Sequence, residues 1–413
     1  MNVSEKKDAN KKLTDEEILQ RTAALWKYKA VPPQNRIPEP SPECKPENHT
    51  IGNWQVIGAS VRGKMHKHEG TNRDDWFETD NIHGFFVSAV SDGAGSKKFS
   101  RIGSSTSCKT ARLYVKNQLI KLLAKEPKLL DNLSQNMNSP AFVNSATLLT
   151  TILQKAMQAA REAVVDAYER RRTEAHYTAV VGRDLVLSDF AATLLLTLAV
   201  PLPKLNEVFV VACQVGDGIT AVLNTEADFD DGLTLLGIPD SGDFSGETDF
   251  LTSPDMALTD NLMSRTRLTR KPMNLIVSMT DGVADDYDPN ERELRRLYFD
   301  LVANKVLKPS ISTDIDSSIK IPDPQMFSKI EKADEISLAP IQFTSDLMAQ
   351  NSLTLADIWK NPAPLLAMAE KIPSTINQNS AARLLEWLDN YTMRGSFDDR
   401  TLVIFRKKGD SRG

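Results

Sequence analysis

The sequence predicts an α+β fold in which two facing, mainly antiparallel β-sheets are flanked by helices, an α-β-β-α sandwich. Segments 191–200 and 208–215 are apolar at nearly every position, which is typical of strands covered on both faces. Two longer segments, 103–122 and 145–171, carry apolar residues at helical spacing on one face. Because strands and helices do not alternate strictly, helices outside two packed sheets would cover every apolar face.

The remaining elements follow from the same patterns. Predicted strands lie, in chain order, at 54–61, 84–90, 191–200, 208–215, 219–223, 275–279 and 401–405. Gly216-Asp217-Gly218 separates the fourth of these from the fifth and predicts a tight hairpin turn. A short helix is predicted near 15–28, and a final helix places Leu384, Trp387, Leu388 and Tyr391 on one face.

One main domain is predicted over residues 51–408, with a helical and irregular insertion around 290–392 and a short tail at 409–413. Residues 1–50 are charged and interrupted by prolines, so we expect an extended or mobile N-terminal extension. Such a segment buries too little apolar surface to offset its ordering entropy. It should therefore be dispensable for folding. Segment 310–339 is polar and contains prolines, which predicts an irregular excursion.

Composition excludes several functional classes. The chain has 413 residues, 41% of them hydrophobic, and a net charge of 50 − 55 = −5, which does not suggest a nucleic-acid-binding protein. Three separated cysteines, Cys44, Cys108 and Cys213, form neither a disulfide framework nor a zinc site. The sequence shows no signal peptide and no apolar segment long enough to span a bilayer. We expect a cytoplasmic monomer that binds no membrane.

Acidic residues recur where predicted strands begin or end. The acidic sites are Asp74-Asp75, Asp92-Gly93, Asp217-Gly218, Asp281-Gly282 and Asp398-Asp399. Any one of them is an ordinary turn sequence. Together they suit a hard cation such as Mg²⁺ or Mn²⁺, because gathered carboxylates repel one another unless a cation neutralises them. Two such cations roughly 3.5–4 Å apart are a known arrangement for phosphoryl hydrolysis.

The order of these motifs resembles the metal-dependent Ser/Thr protein phosphatases of the PPM (type 2C) family, especially their bacterial branch. The matching motifs are Asp74-Asp75, Asp92-Gly93-Ala94-Gly95, Ala192-Thr193, Val215-Gly216-Asp217, Thr280-Asp281-Gly282 and Asp398-Asp399. Each motif is weak alone, but all six occur in the family's order over about residues 54–407. Arg62-Gly63, with His66 and Gly70, and the C-terminal stretch from Trp387 to Ile404 are also similar to the bacterial branch.

The resemblance implies a ligand set and a mechanism. Asp92 would bridge two Mn²⁺ or Mg²⁺ ions, and Gly93 would add its backbone carbonyl. Asp75 would bind one ion, with Asp74 beside it, and Asp281 and Asp398 would bind the other. Asp217 would help Asp281 to form a weaker third site. A water between the two ions would attack phosphorus directly, without a phosphoenzyme.

Two family positions differ in this chain. Many relatives have a histidine after Asp-Gly as the proposed general acid, whereas this sequence has Ala94. Water, His66 or His68 would then protonate the leaving group. Eukaryotic relatives also have a phosphate-binding arginine where this chain has Gly70, so Arg62, His66, Lys67 and Arg73 are substitute candidates. A basic residue in a loop can equally be a solvated one.

The resemblance favours hydrolysis of phosphoserine and phosphothreonine in proteins. The substrate would be a phosphoprotein, for which a Ser/Thr kinase or its target is a reasonable expectation. A second interpretation is a catalytically weak phosphatase fold that serves as a regulatory or binding module. Retention of every acidic motif argues against it. Another metal-dependent hydrolase would not account for the order of the motifs.

Overall fold

The computed structural model describes residues 27–33, 38–237, 248–256, 258–307, 331–332, 335–336, 343–371, 379–390 and 397–408. The predicted tail 409–413, most of the excursion 310–339, and the predicted helix near 15–28 except its last two residues lie outside this part of the chain. Within the described residues, no helix combines the length and the apolar character needed to cross a bilayer.

The described strands are β1 (Cys44–Ile51), β2 (Trp54–Val61), β3 (Trp76–Ile82), β4 (Phe85–Ser91), β5 (Leu194–Leu202), β6 (Glu207–Val215), β7 (Ile219–Leu223), β8 (Leu233–Leu235), β9 (Thr266–Lys271), β10 (Leu275–Met279), β11 (Glu331–Lys332), β12 (Glu335–Ile336) and β13 (Arg400–Lys407). One sheet has the order β1-β2-β13-β10-β7-β8 and the other has the order β3-β4-β5-β6-β9. All neighbouring strands in both sheets are antiparallel.

The described helices are α1 (Lys64–Glu69), α2 (Ser100–Lys125), α3 (Leu129–Leu133), α4 (Pro140–Arg171), α5 (Ala175–Val181), α6 (Thr259–Ser264), α7 (Asp281–Ala284), α8 (Asn290–Ala303), α9 (Phe343–Asn351), α10 (Leu355–Lys360), α11 (Ala363–Lys371) and α12 (Ser380–Asn390). The described part of the predicted insertion is thus mainly helical, with β11 and β12 forming a minimal hairpin.

Four layers result from how these elements bury their apolar residues. The inner faces of the two sheets meet in a core where Phe405 stacks on Trp54 and Phe86, with ring centroids 4.5 and 4.4 Å apart. Helices α2 and α4 cover the outer face of the five-stranded sheet. Helices α8 to α12 cover the outer face of the six-stranded sheet. The fold class is the predicted one, because burying both faces of two sheets leaves few other arrangements.

The predicted hairpin at Gly216-Asp217-Gly218 is wrong. Strand β6 lies in the five-stranded sheet and β7 lies in the six-stranded sheet, so this segment carries the chain from one sheet to the other. We call residues 216–218 the crossing loop. Apolar periodicity identifies a strand but not its neighbour, which is why the sequence favoured a local pairing.

The predicted domain boundary at residue 51 is also wrong. Strand β1 begins at Cys44 and pairs along its whole length with β2, from Cys44 opposite Val61 to Ile51 opposite Trp54. Its alternating, mostly polar sequence CKPENHTI is that of a sheet edge with one face in solvent. The same reasoning applies to β3, WFETDNI, whose polar alternation hid a strand in what the sequence suggested was a loop.

Residues 27–33 and 38–43, which we call the N-terminal strap, also contact the domain. The Lys29 amide donates to the Lys67 carbonyl of α1 at 2.7 Å. The buried Arg62 side chain lies over the Tyr28 ring and contacts the Glu43 carboxylate at 3.3 Å. Further along, Arg101 of α2 donates to the carbonyls of Pro38 and Glu39. The described part of the extension is therefore ordered against the domain.

Candidate metal centre

The acidic residues singled out in the sequence meet at one end of the sandwich. From the five-stranded sheet, Asp75 precedes β3 and Asp92 follows β4. From the six-stranded sheet, Asp281 follows β10 and Asp398 precedes β13. Asp217 lies in the crossing loop between the sheets. Strand ends of both sheets therefore supply the same site.

Three of these acids form a tight cluster. Carboxylate oxygens of Asp92, Asp217 and Asp281 all lie within 4.8 Å of one another. The Asp75 carboxyl group lies beside that of Asp92, and its charge raises the pKa of Asp92. Asp75 is held by its second oxygen, which accepts from the hydroxyls of Thr280 at 2.9 Å and Thr401 at 2.7 Å.

The pKa values of the cluster acids are raised, as expected for buried carboxylates that lie close to one another. Burial raises the pKa of Asp92 well above its usual value, and repulsion from Asp281, Asp75 and Asp398 raises it further. Burial and the charge of Asp217 raise the pKa of Asp281 in the same way. Burial and repulsion from Asp399 raise the pKa of Asp75 to about 7. A raised pKa means that the ionised carboxylate is disfavoured, because the protein places too little positive charge near it.

Divalent cations fit this arrangement on several grounds. Oδ1 of Asp75 and Oδ1 of Asp217 are buried without a hydrogen-bond partner within the described structure, so each is free to act as a ligand. At Gly93 a side chain would strike the Asp74 backbone carbonyl at 2.5 Å, so only glycine lets the two strand ends approach. All donors are oxygens, which suits Mg²⁺ and Mn²⁺.

A second cluster adjoins the first and contains His66 of α1. Its Nδ1 lies 3.2 Å from Asp399 Oδ1, and its Nε2 lies 4.0 Å from Asp398 Oδ1. Burial alone would lower the pKa of His66, but the charges of Asp399, Asp74 and Asp398 outweigh it and raise the pKa to about 10. The imidazole is therefore protonated at neutral pH. It points one nitrogen toward an acid of the metal centre.

Asp399, which the sequence assigned no role of its own, organises this second cluster. Its carboxylate is 1% exposed and accepts from the backbone amides of Gly63, at 2.6 Å, and of Asp74. Burial would raise its pKa, but His66 and these amides lower it. The doubled acid before β13 was the available signal, yet which of the two acids faces inward depends on backbone geometry.

Asp74 lies on the side of the site that faces His66 and Asp399. Burial raises its pKa to about 8, and repulsion from Asp399 contributes while His66 and Arg101 oppose the shift. The structure thus separates the two members of the predicted acidic pair. Asp75 belongs to the carboxylate cluster and Asp74 to the histidine cluster.

The other basic candidates, Arg62, Lys67 and Arg73 for phosphate binding and His68 for proton donation, have partners of their own. Arg62 and Arg73 are both 0% exposed. Arg62 is engaged by the N-terminal strap, and Arg73 donates to the Ser60 carbonyl at 3.1 Å. His68 accepts from the Lys27 amide, and Lys67 forms an ion pair with Asp389. This geometry favours structural roles for these four residues over contact with a substrate phosphate.

The position of His66 bears on the missing histidine at Ala94. The Nε2 atom of His66 lies 3.6 Å from where a Cβ on Gly95 would stand, so the imidazole reaches the loop that follows Asp92. A histidine supplied by α1 therefore stands beside the loop that lacks one. The buried thiols play no comparable part, since burial raises the pKa of Cys213 to about 11 and that of Cys108 still higher.

Comparison with known protein families decides the classification. A family model described as "Protein phosphatase 2C" matches residues 62–317, more than half of the chain. The chain belongs to this family. The matched span contains every acid of the centre except Asp398 and the adjoining Asp399. No curated protein matches the chain.

Several solved structures also match the chain at low sequence identity. A structure titled "Crystal structure of bacterial serine phosphatase" is 11% identical, covers 86% of this chain and 98% of its own, and has a TM-score of 0.39. RsbX in complex with magnesium is 11% identical, with 88% and 99% covered and a TM-score of 0.32. The SiaA-PP2C domain of Pseudomonas aeruginosa is 10% identical, with 86% of each chain covered and a TM-score of 0.31.

Proposed function

We propose that this protein is a Mn²⁺- or Mg²⁺-dependent phosphatase that hydrolyses phosphoserine and phosphothreonine in proteins. The observation that carries the proposal is the convergence of Asp92, Asp217 and Asp281, with oxygens within 4.8 Å of one another. The raised pKa values of Asp92 and Asp281 indicate that the cluster is built for positive charge. Membership of the protein phosphatase 2C family supplies the reaction class.

The ligand assignment follows the positions of the acids. Asp92, with the Gly93 carbonyl, would lie between two ions, Asp75 would serve one of them, and Asp281 and Asp398 the other. Asp217 would join Asp281 at a weaker third position. Two bound cations supply acidification of a water and neutralisation of charge on phosphoryl oxygens. Asp74 faces the histidine cluster and would act by orienting the loop rather than as a direct ligand.

His66 is our candidate for the proton donor to the leaving group. Nδ1 lies 3.2 Å from Asp399 in an ion pair, and Nε2 is directed toward Asp398 and the loop at Gly95. A donor is needed when the leaving group is a serine or threonine alkoxide. It is much less needed for p-nitrophenolate, which departs as an anion.

A leaving-group comparison tests this role. His66→Ala should lower the rate on a phosphoserine peptide by 10²-fold or more, a typical size for losing a positioned acid. The same variant should lose far less on p-nitrophenyl phosphate. Equal losses on both substrates would exclude the donor role. In that case His66 would only support the site's structure.

The central experiment separates an enzyme from a catalytically weak binding module. Hydrolysis of p-nitrophenyl phosphate by the full chain should stop in EDTA and return with Mn²⁺ or Mg²⁺. Asp131→Asn, an exposed acid paired with Lys204 far from the cluster, is the matched control and should keep full activity. Turnover in metal-free buffer, or none with any divalent cation, would overturn the proposal.

Substrate class is tested with peptides. Peptides bearing phosphoserine or phosphothreonine should be hydrolysed faster than the matched phosphotyrosine peptide. A Ser/Thr kinase or its target remains our proposed physiological substrate. Preference for phosphotyrosine would contradict the proposed specificity while leaving the metal requirement intact.

A further inference from the structure

The crossing loop that carries Asp217 has almost no sheet pairing of its own. Strand β6 ends at Val215 in one sheet and β7 begins at Ile219 in the other. Carbonyl groups in such a loop need other partners when they are buried. Gln214, the residue before the end of β6, supplies them with its side chain.

The Gln214 side-chain amide forms hydrogen bonds to the loop on both sides of Asp217. Nε2 donates to the Gly216 carbonyl at 3.0 Å and to the Gly218 carbonyl at 2.6 Å, so both amide hydrogens are used. The side chain is 96% buried, since Gln214 is 4% exposed. Two bonds from one planar group fix the orientation of the intervening residue more firmly than a single bond would.

The loop is also wedged against the segment that holds Asp92. Gly216 has φ 116°, and a side chain there would strike Thr193. Thr193 in turn accepts from the Asp92 amide at 2.9 Å and donates its own amide to the Asp92 carbonyl at 2.8 Å. Any shift of the crossing loop therefore changes the distance between Asp217 and Asp92.

The Asp217 carboxylate is oriented for a ligand. Its Oδ2 accepts from the Thr248 hydroxyl at 2.5 Å. Its Oδ1 is buried without a hydrogen-bond partner in the described structure, and one carboxylate oxygen of Asp217 belongs to the cluster with Asp92 and Asp281. The carboxylate is thus fixed through one oxygen and free through the other.

From these contacts we infer that Gln214 is a positioning residue for the metal centre: it clamps the crossing loop so that Asp217 Oδ1 faces Asp92 and Asp281. The inference rests on the proposed function, because it concerns cation binding by the same cluster. In this role Gln214 itself would bind neither substrate nor cation. Its effect passes through the backbone on either side of Asp217.

Direct measurement of Mn²⁺ binding tests the clamp. Free Mn²⁺ is followed by electron paramagnetic resonance while the full chain is titrated, and thermal unfolding is recorded in EDTA. Gln214→Met keeps the size of the side chain but removes both donors. It should weaken Mn²⁺ binding at the position that Asp217 serves by about 10-fold or more, the typical cost of losing a group that orients a ligand.

A matched control separates positioning from general stability. Thr197→Val removes an equally buried hydrogen bond, that of Thr197 to Ser278 at 3.3 Å, and should leave Mn²⁺ binding unchanged. If Gln214→Met and Thr197→Val lose melting temperature but neither changes the Mn²⁺ titration, the clamp is refuted. Should the Met variant fail to fold, Gln214→Asn replaces it, since the shorter amide cannot reach both carbonyls.

A double variant shows whether the effect passes through Asp217. Asp217→Asn should itself weaken Mn²⁺ binding, and adding Gln214→Met should weaken it no further. A further loss in the double variant would contradict the positioning role alone. Unchanged Mn²⁺ binding in Asp217→Asn would instead overturn the ligand role of Asp217 in the proposed function, and the clamp with it.

Discussion

At the scale of single residues, the centre depends on carboxylates that have different tasks. Asp92 and Asp281 supply charge to the cluster, whereas Asp399 is buried and holds the amides of Gly63 and Asp74. Replacing a ligand and replacing an organiser should therefore have different signatures. Replacing a ligand should weaken metal binding but leave the loop conformations unchanged. Replacing Asp399 should change the loop conformations themselves.

Asp92→Asn and Asp281→Asn test the ligand role. Each removes one charge from the cluster, so we expect activity to fall by about two orders of magnitude or more. Thermal stability in EDTA should hold or rise, because mutual repulsion in the cluster is relieved. Steady-state kinetics and melting curves in EDTA check both parts. Wild-type turnover by Asp92→Asn would exclude its bridging role.

Stability of the metal-free protein should fall as the pH rises from about 4 to about 8. Burial and neighbouring acids raise the folded-state pKa of Asp75 to about 7 and that of Asp74 to about 8, whereas unfolded aspartates titrate near 4. Between these values the folded protein binds more protons than the unfolded protein, so the free energy of unfolding decreases with pH.

Melting curves in EDTA at pH 5 and pH 8 measure this effect. Saturating Mn²⁺ should diminish the difference, because the cation takes over the role of the bound protons. If the metal-free protein has a higher melting temperature at pH 8 than at pH 5, ionisation of the cluster acids does not destabilise the fold. The predicted mutual repulsion would then be absent.

At the scale of elements, the short helix α1 connects the N-terminal strap to the metal centre. His66 on α1 faces Asp398 and Asp399, while the Lys67 carbonyl of the same helix accepts from Lys29 in the strap. Arg62, just before α1, is buried and paired with Glu43. The strap thus supports the segment that carries His66.

Deleting residues 1–47 should therefore destabilise the protein, contrary to the expectation from sequence. The deletion removes the strap and half of β1, and leaves the buried guanidinium of Arg62 without its carboxylate partner. Because the Glu43 carboxylate is 37% exposed, losing its contact with Arg62 should cost less than a fully buried pair, about 1.5–3 kcal/mol. Calorimetry should show a melting temperature lower by roughly 3–6 °C.

A chain that starts at Lys27 is the control, since it keeps every described strap contact. It should have the same melting temperature as the full-length protein. If the chain starting at Asn48 also melts there, the strap contacts add nothing to stability and the predicted boundary is adequate. Activity on p-nitrophenyl phosphate in the two chains would show whether the strap affects the site through α1.

At the scale of the whole molecule, the sequence predicted layers better than connections. Apolar runs identified β2, β7 and β10 with their observed bounds, because strands buried on both faces leave a continuous signal. Strands β1 and β3 were not predicted, because a strand with one polar face has a sequence similar to that of a loop. The acids of the centre were visible as motifs. The contacts of Asp399 and the path of the crossing loop depend on which distant segments pack together, and hydrophobic periodicity does not encode that.

The two sheets share the centre, and this predicts how metal affects the whole domain. Asp75 and Asp92 come from the five-stranded sheet, and Asp281 and Asp398 come from the six-stranded sheet. A cation held by both sets ties the sheets together and relieves their repulsion at once. Because the folded protein alone assembles these ligands, Mn²⁺ should stabilise it by about 2.7 kcal/mol at 100 times its dissociation constant.

Calorimetry of the full chain in EDTA and in increasing Mn²⁺ measures this linkage. We expect one unfolding transition that moves upward with the logarithm of the Mn²⁺ concentration. In Asp92→Asn the shift should shrink sharply, whereas Asp131→Asn should reproduce the wild-type curve. Two separate transitions, of which Mn²⁺ moves only one, would mean that the cation binds within one part of the fold. The sheets would then unfold independently, and the shared centre would be excluded.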